Sequence, residues 1–172
     1  APNVSVADLT GDGRDDIVFV INDDAAGTSN GRVYVYEGTS DNTWVETWSG
    51  GGGLGAFRDL TVGDSDGDGH MEIVVEVRQT TGAGVYVLEH PSFSPRVIIQ
   101  NEPATGGGYY RSFGALTVAD SDVDGRREIL FTSGNRNDVQ DTGWSAPSPD
   151  PQLFIFESNG DNSYQRDRKR VV

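Results

Sequence analysis

Three stretches carry carboxylates at spacings suited to a hard cation: DLTGDGRDD from Asp8, DSDGDGHME from Asp64 and DSDVDGRRE from Asp120. Their common pattern is D-x-[D/T]-x-D-G-x-x-[D/E]. Side-chain oxygens at positions one, three and five, a backbone carbonyl at seven and a carboxylate at nine can wrap one ion, and glycine at six permits the sharp turn. The second loop then offers Asp64, Asp66, Asp68, the carbonyl of His70, and Glu72. The third offers Asp120, Asp122, Asp124, the carbonyl of Arg126, and Glu128. The first offers Asp8, Thr10, Asp12, the carbonyl of Arg14, and Asp16, and its threonine in place of a carboxylate predicts weaker binding. An EF-hand begins alike but closes on a bidentate acid at position twelve, which here is Phe19, Val75 or Phe131. The ion must be closed by position nine, in a loop that joins strands. Oxygen ligands without thiolate or imidazole select calcium over zinc or copper, and magnesium, which keeps its waters, is the weaker candidate.

The loops recur at equal intervals. Asp8, Asp64 and Asp120 stand 56 residues apart, Phe57 and Phe113 each precede an aspartate by seven, and glycine triplets (51–53 and 106–108) precede both phenylalanines. The chain is therefore read as three repeats, 1–56, 57–112 and 113–172. Each holds four strand signals. A short alternating pair comes first (Val4/Val6, Leu60/Val62, Leu116/Val118), followed by a small residue, Ala7, Gly63 or Ala119, where backbones should crowd. An apolar run follows the acids (Ile17 to Ile21, Ile73 to Val77, Ile129 to Thr132), and its lack of alternation predicts burial on both faces. A third strand is aromatic and β-branched (VYVYE from Val33, VYVLE from Val85, LFIFE from Leu153). The fourth is polar: Trp44 to Trp48, Arg96 to Gln100 and Tyr164 to Val172. The expected class is all-β, made of four-stranded antiparallel propeller blades with a polar outer strand. The charged tail 166–170 is read as protection of that outer edge. Propellers close with four to eight blades, so three blades belong to a larger ring or to one closed by oligomerisation.

The chain of 172 residues has 35% hydrophobic content and a formal net charge of -14. Such a surface repels nucleic acid and anionic lipid, and suits either cation binding or adaptation to high salt. No cysteine is present, which excludes disulfides and thiolate metal sites. No apolar run approaches the ~20 residues of a membrane span. A first residue of Ala, with no signal peptide in view, reads as a processed or excised segment.

With Phe57 and Phe113-Gly114 ahead of two of them, the three loops resemble the FG-GAP/VCBS repeats of integrin-α-like β-propellers, over nearly the whole chain. Phe-Gly occurs in only one repeat and no Gly-Ala-Pro follows the second strand, so the pattern is more similar to the bacterial-type VCBS repeat. The resemblance implies a secreted, periplasmic or cell-surface setting, calcium-filled loops, and binding, adhesion or scaffolding more often than catalysis. Implied partners are a protein or glycan at the cell surface, together with further blades from other sequence, another subunit or a second copy.

Ligand contacts are expected on loops, where function is grafted onto a scaffold. Trp144, amid polar residues in the long third-repeat loop, could stack on a sugar or a partner, or fold back over its blade. Tyr109, Tyr110 and Arg111 form a second candidate patch, or an interblade contact. The alternative function is a lectin or a polysaccharide lyase or glycosidase. Little supports catalysis: His70 sits at the carbonyl position of its loop, His90 beside Pro91 at a strand end, and no G-x-S-x-G nucleophile motif occurs. The grouped acids are already committed to the ion.

Overall fold

The computed structural model describes residues 3–23, 30–51, 53–78, 84–100, 113–133, 152–161 and 163–166. Among these the regular structure is entirely strand. Blade 1 contains β1 (Val4–Ala7), β2 (Asp16–Asp23), β3 (Asn30–Ser40) and β4 (Thr43–Gly50). Blade 2 contains β5 (Ala56–Gly63), β6 (Glu72–Arg78), β7 (Gly84–Glu89) and β8 (Arg96–Gln100). Blade 3 contains β9 (Phe113–Ala119), β10 (Glu128–Ser133), β11 (Gln152–Gly160) and β12 (Ser163–Arg166). Each is a four-stranded antiparallel meander in sequence order, and the three sheets do not close into a ring. Over the described residues the strand signals in the sequence are met. The third strands run longer than their apolar centres, and the described part of the last strand stops at Arg166.

Alternation along the second strands decides which blade faces which. Val18 and Val20, with Val33 and Val35 opposite them, pack against Ile73, Val75, Val77 and Leu88 of blade 2 in one apolar cluster. The other face of blade 2, through Val74, Val85 and Val87, meets Ile129, Phe131, Phe154 and Phe156 of blade 3. Burial on both faces therefore holds for β6, whose residues from Glu72 to Val77 are all buried. It fails for β2 and β10, which have a neighbouring blade on one side only. Phe19 is half-buried, Ile21 is 48% exposed, and Val4 and Val6 are 64% and 58% exposed. Leu60 and Leu116, the repeat equivalents of Val4, are buried because a preceding blade covers them.

The first strands lie side by side at the centre, tied by polar contacts. The Asn3 amide donates to Asp59 Oδ1, which also accepts from the Leu60 N–H, while Asp59 Oδ2 accepts from Leu116 N–H at 2.9 Å. One carboxylate thus bonds residues of all three blades. Asn22 bonds both the N–H and the carbonyl of Phe57 at 2.7 Å, and fixes β5 against β2. Gly63 needs its missing side chain: a Cβ there would meet Val118 at 3.1 Å. That is the crowding its place before Asp64 predicts.

Candidate metal centre

Each acidic loop joins the first strand of a blade to the second. The first aspartate organises the turn by accepting from the backbone. Asp8 accepts from the N–H groups of Gly11, Asp12 and Gly13, Asp64 from Gly67 and Gly69, and Asp120 from Asp124 and Gly125. The fifth-position acids, Asp12, Asp68 and Asp124, accept from the N–H two residues on. The sixth-position glycines, Gly13, Gly69 and Gly125, have φ of 87°, 92° and 90°, the left-handed region that glycine enters without strain. Their place in the pattern is therefore conformational.

The ninth residue separates the loops. In each loop its carboxylate accepts the N–H of the second residue. Glu72 Oε2 takes Ser65 N–H at 2.6 Å and the Ser65 hydroxyl at 2.7 Å, and Glu128 Oε2 takes Ser121 N–H at 2.6 Å. Both glutamates are buried, and Glu72 Oε1 and Glu128 Oε1 have no hydrogen-bond partner among the described residues. Such an oxygen is costly to bury unless something positive meets it. Carboxylate oxygens of Asp64, Asp66, Asp68 and Glu72 lie within 4.8 Å of one another, as do those of Asp120, Asp122, Asp124 and Glu128. Two all-oxygen sets thus converge, of a type that accepts a hard divalent cation. Burial pushes the Glu72 carboxyl up to about 7, against the lowering hydrogen bonds from Ser65 and with added repulsion from Asp66 and Asp64.

The first loop is arranged otherwise. Asp16, one methylene shorter than glutamate, is fully buried and saturated by the protein. Its Oδ2 accepts from Leu9 and Thr10 N–H at 2.9 and 3.2 Å, and its Oδ1 from Gly38 N–H at 3.0 Å. Arg14 pairs with Asp12 at 2.8 Å. Asp8, Asp12 and Asp16 do not converge as the acids of the other two loops do. Thr10 Oγ1 is the buried oxygen of this loop without a partner among the described residues. The other seventh-position side chains point elsewhere: His70 is exposed, and Arg126 pairs with Glu157 at 2.6 Å.

Blade 3 also reaches into the second loop. Ser65 Oγ lies 2.5 Å from the Tyr164 hydroxyl, and Ser158 Oγ donates to the Asp66 carbonyl at 3.0 Å. Sequence reasoning missed both contacts, which link residues 92 and more positions apart with no local signature. Asp68 further converges with Glu89 and Asp161 across the same boundary.

Of the candidate ligand residues, Tyr109, Tyr110, Arg111 and Trp144 lie outside the described residues. An unforeseen cleft beside loop 1 is lined by Trp44, Arg14, Asp15, Gly38, Ser40 and Asp41, with Trp44 42% exposed. Period-two alternation would put Trp44 and Trp48 on one face of β4. A register shift between the Val35–Trp48 and Tyr36–Glu46 pairs places them on opposite faces, with Trp48 turned inward against Phe93. His90 stacks edge-on with Phe93 at the end of β7, a packing role.

Four-stranded meanders stacked face to face, each with an acidic loop between its first two strands, define a repeat protein of blade type. Residues 8–75 match the family model described as an FG-GAP-like repeat. The match runs from the first aspartate of loop 1 through loop 2 into β6. No curated protein matches the chain.

Proposed function

We propose that this chain is a calcium-stabilised β-propeller module that works by binding, in adhesion or scaffolding outside the cytoplasm. The observation that carries it is a pair of buried glutamates, Glu72 and Glu128, each with an oxygen that has no partner among the described residues and each with a carboxylate oxygen grouped with those of three aspartates. A calcium ion satisfies both the orphaned oxygen and the mutual repulsion of the acids. It would be held by Asp64, Asp66, Asp68 and Glu72 in one loop and by Asp120, Asp122, Asp124 and Glu128 in the other, with the carbonyls of His70 and Arg126 available as further ligands. Its chemistry there is charge neutralisation and loop closure. Loop 1 is at most a weaker third site. Millimolar calcium, as found outside cells, suits such loops.

Partners of two kinds fit the surface. The outer face of blade 1, with Val4, Val6, Phe19 and Ile21, is the repeat equivalent of the face by which blades 2 and 3 receive their predecessor. The outer face of blade 3, with Leu130 and Leu153, corresponds to the face that receives a successor. Blades of the same repeat type, from a second copy, another subunit or further sequence, would cover both. A glycan is the second reading, favoured by the exposed Trp44 in its polar cleft, where an indole face could stack on a sugar ring.

The test is thermal unfolding in calcium and in chelator. Calcium should raise the melting temperature markedly, since a ligand that binds only the folded state stabilises it by mass action. An unchanged melt would remove the metal from this reading.

A further inference from the structure

Among the contacts between blades, those at loop 2 are unusual because they reach cation-facing groups from a neighbouring blade. Ser65 donates its hydroxyl proton to Glu72 Oε2, so Tyr164 must be the donor in the 2.5 Å contact with Ser65 Oγ. The chain runs from Tyr164 O–H to Ser65 Oγ–H to Glu72 Oε2, and it holds the carboxylate by that oxygen while Oε1 has no partner among the described residues. Ser65 is fully buried, and burial pushes the Tyr164 hydroxyl up, which keeps its proton in place as the donor. On the other side of the loop, Ser158 Oγ holds the carbonyl of Asp66, the third-position residue, and Ser158 is 3% exposed. Tyr164 lies on β12 and Ser158 on β11, so both belong to blade 3.

Neither contact has a counterpart at the blade 1–blade 2 junction among the described residues. Leu9 stands where Ser65 stands, and it packs with Phe93 of blade 2 in the apolar cluster. In loop 3, Ser121 again supplies the N–H to its glutamate but is exposed, since no described blade follows.

We propose that Tyr164 and Ser158 of blade 3 are positioning residues for the cation loop of blade 2. The affinity of Asp64, Asp66, Asp68 and Glu72 for a divalent cation then depends on the docking of blade 3. This rests on the calcium reading above. By linkage the dependence is reciprocal: an ion in loop 2 clamps blade 3 onto blade 2, a coupling without a counterpart at loop 3 among the described residues.

Calcium binding by calorimetry on the full 172-residue chain tests this, with Glu128→Gln isolating loop 2 and Glu72→Gln isolating loop 3. In the Glu128→Gln chain, adding Tyr164→Phe should weaken binding about five-fold, the usual consequence of one lost hydrogen bond. Ser158→Ala should act in the same direction, which keeps the test decisive if one variant folds poorly. In the Glu72→Gln chain, Tyr164→Phe should leave affinity unchanged. Loop 2 affinity within two-fold of its parent in both variants would overturn the proposal. Equal weakening of loops 2 and 3 would do so as well, since that marks general loosening. Failure of the parent chain to bind calcium would instead sink the calcium reading, a distinguishable result.

Discussion

Loop 1 and loop 2 occupy the same place in successive blades and share a turn, yet they balance their acids by different means. In loop 1 the protein supplies the positive groups: three N–H donors on Asp16 and a guanidinium on Asp12. In loop 2 the corresponding Glu72 gives one oxygen to Ser65 and leaves the other without a partner among the described residues, in a carboxylate grouped with three aspartates. One methylene makes the difference. Aspartate at position nine reaches the backbone of its own blade at Gly38, where a Cβ would stand 2.5 Å from the Asp15 carbonyl, so only glycine fits. Glutamate extends past that contact, and at the equivalent place in blade 3 the Ser158 N–H bonds the Arg127 carbonyl instead. A repeat can thus keep its turn while exchanging an ion for its own hydrogen bonds.

The largest effect should come from removing a loop 2 acid. Asp66→Ala should cost most of what calcium contributes there, about 4 kcal/mol when calcium stands at a thousand times its dissociation constant. Thr10→Ala, at the same position in loop 1, should cost less than about 1 kcal/mol, and equally in calcium and in chelator. Denaturant titration of both variants under both conditions checks the pair. A Thr10 variant hit harder than the Asp66 variant would reverse the assignment of which loop is ion-dependent.

A subtler separation comes from Glu72→Gln, which should change sign with the ion. The Glu72 carboxyl is raised from the usual 4.5 to about 7, chiefly by burial. A raised carboxyl contributes stability below its unfolded value that is lost as pH rises through the folded one. The ion-free chain should therefore forfeit about 2–3 kcal/mol through this group between pH 4.5 and pH 8. Glutamine has no charge to bury and keeps an acceptor for Ser65. In chelator at pH 8 the variant should be the more stable protein, and in calcium the less stable. The same sign in both conditions would mean that Oε1 does not face the ion. At pH 4.5 in chelator the two proteins should converge.

Much of this was legible in the sequence because it is local. The period, the four strands of each blade, the turn glycines and the acidic positions are all written within single repeats. Burial of the second strands was legible as to amount in β6 but not as to which faces are covered in β2 and β10. That depends on a neighbour, and Val4 and Leu60 look alike until one of them lacks a preceding blade. The difference between Asp16 and Glu72 was visible as letters. Its meaning depends on where Gly38 lies, 22 residues away on another strand. The contacts of Tyr164 and Ser158 with loop 2, and the register shift that turns Trp44 outward, are products of packing that no periodicity announces.

Loop 3 sharpens the comparison from the other side, because its acids converge as in loop 2 while its turn is strained. At position four, Gly11 and Gly67 have φ of 77° and 81°, and Val123 holds the same left-handed conformation at 63°. A β-branched residue pays for that region in contacts between its Cβ and the backbone, on the order of 1–2 kcal/mol. Val123 recovers nothing by packing, since it is 86% exposed. Val123→Gly should therefore stabilise the chain by about 1 kcal/mol after the added freedom of glycine in the unfolded state is set against the relieved strain. Part of the gain should appear as tighter calcium binding at loop 3, because the relaxed turn no longer opposes convergence of Asp122 and Asp124. Gly67→Val should do the reverse in loop 2. Melting temperatures in calcium and chelator read the total, and calorimetry in the Glu72→Gln chain reads the loop 3 share. A gain equal in both melts would place the strain outside the cation equilibrium, leaving the contacts of blade 3 with loop 2 as the remaining difference between loops 2 and 3.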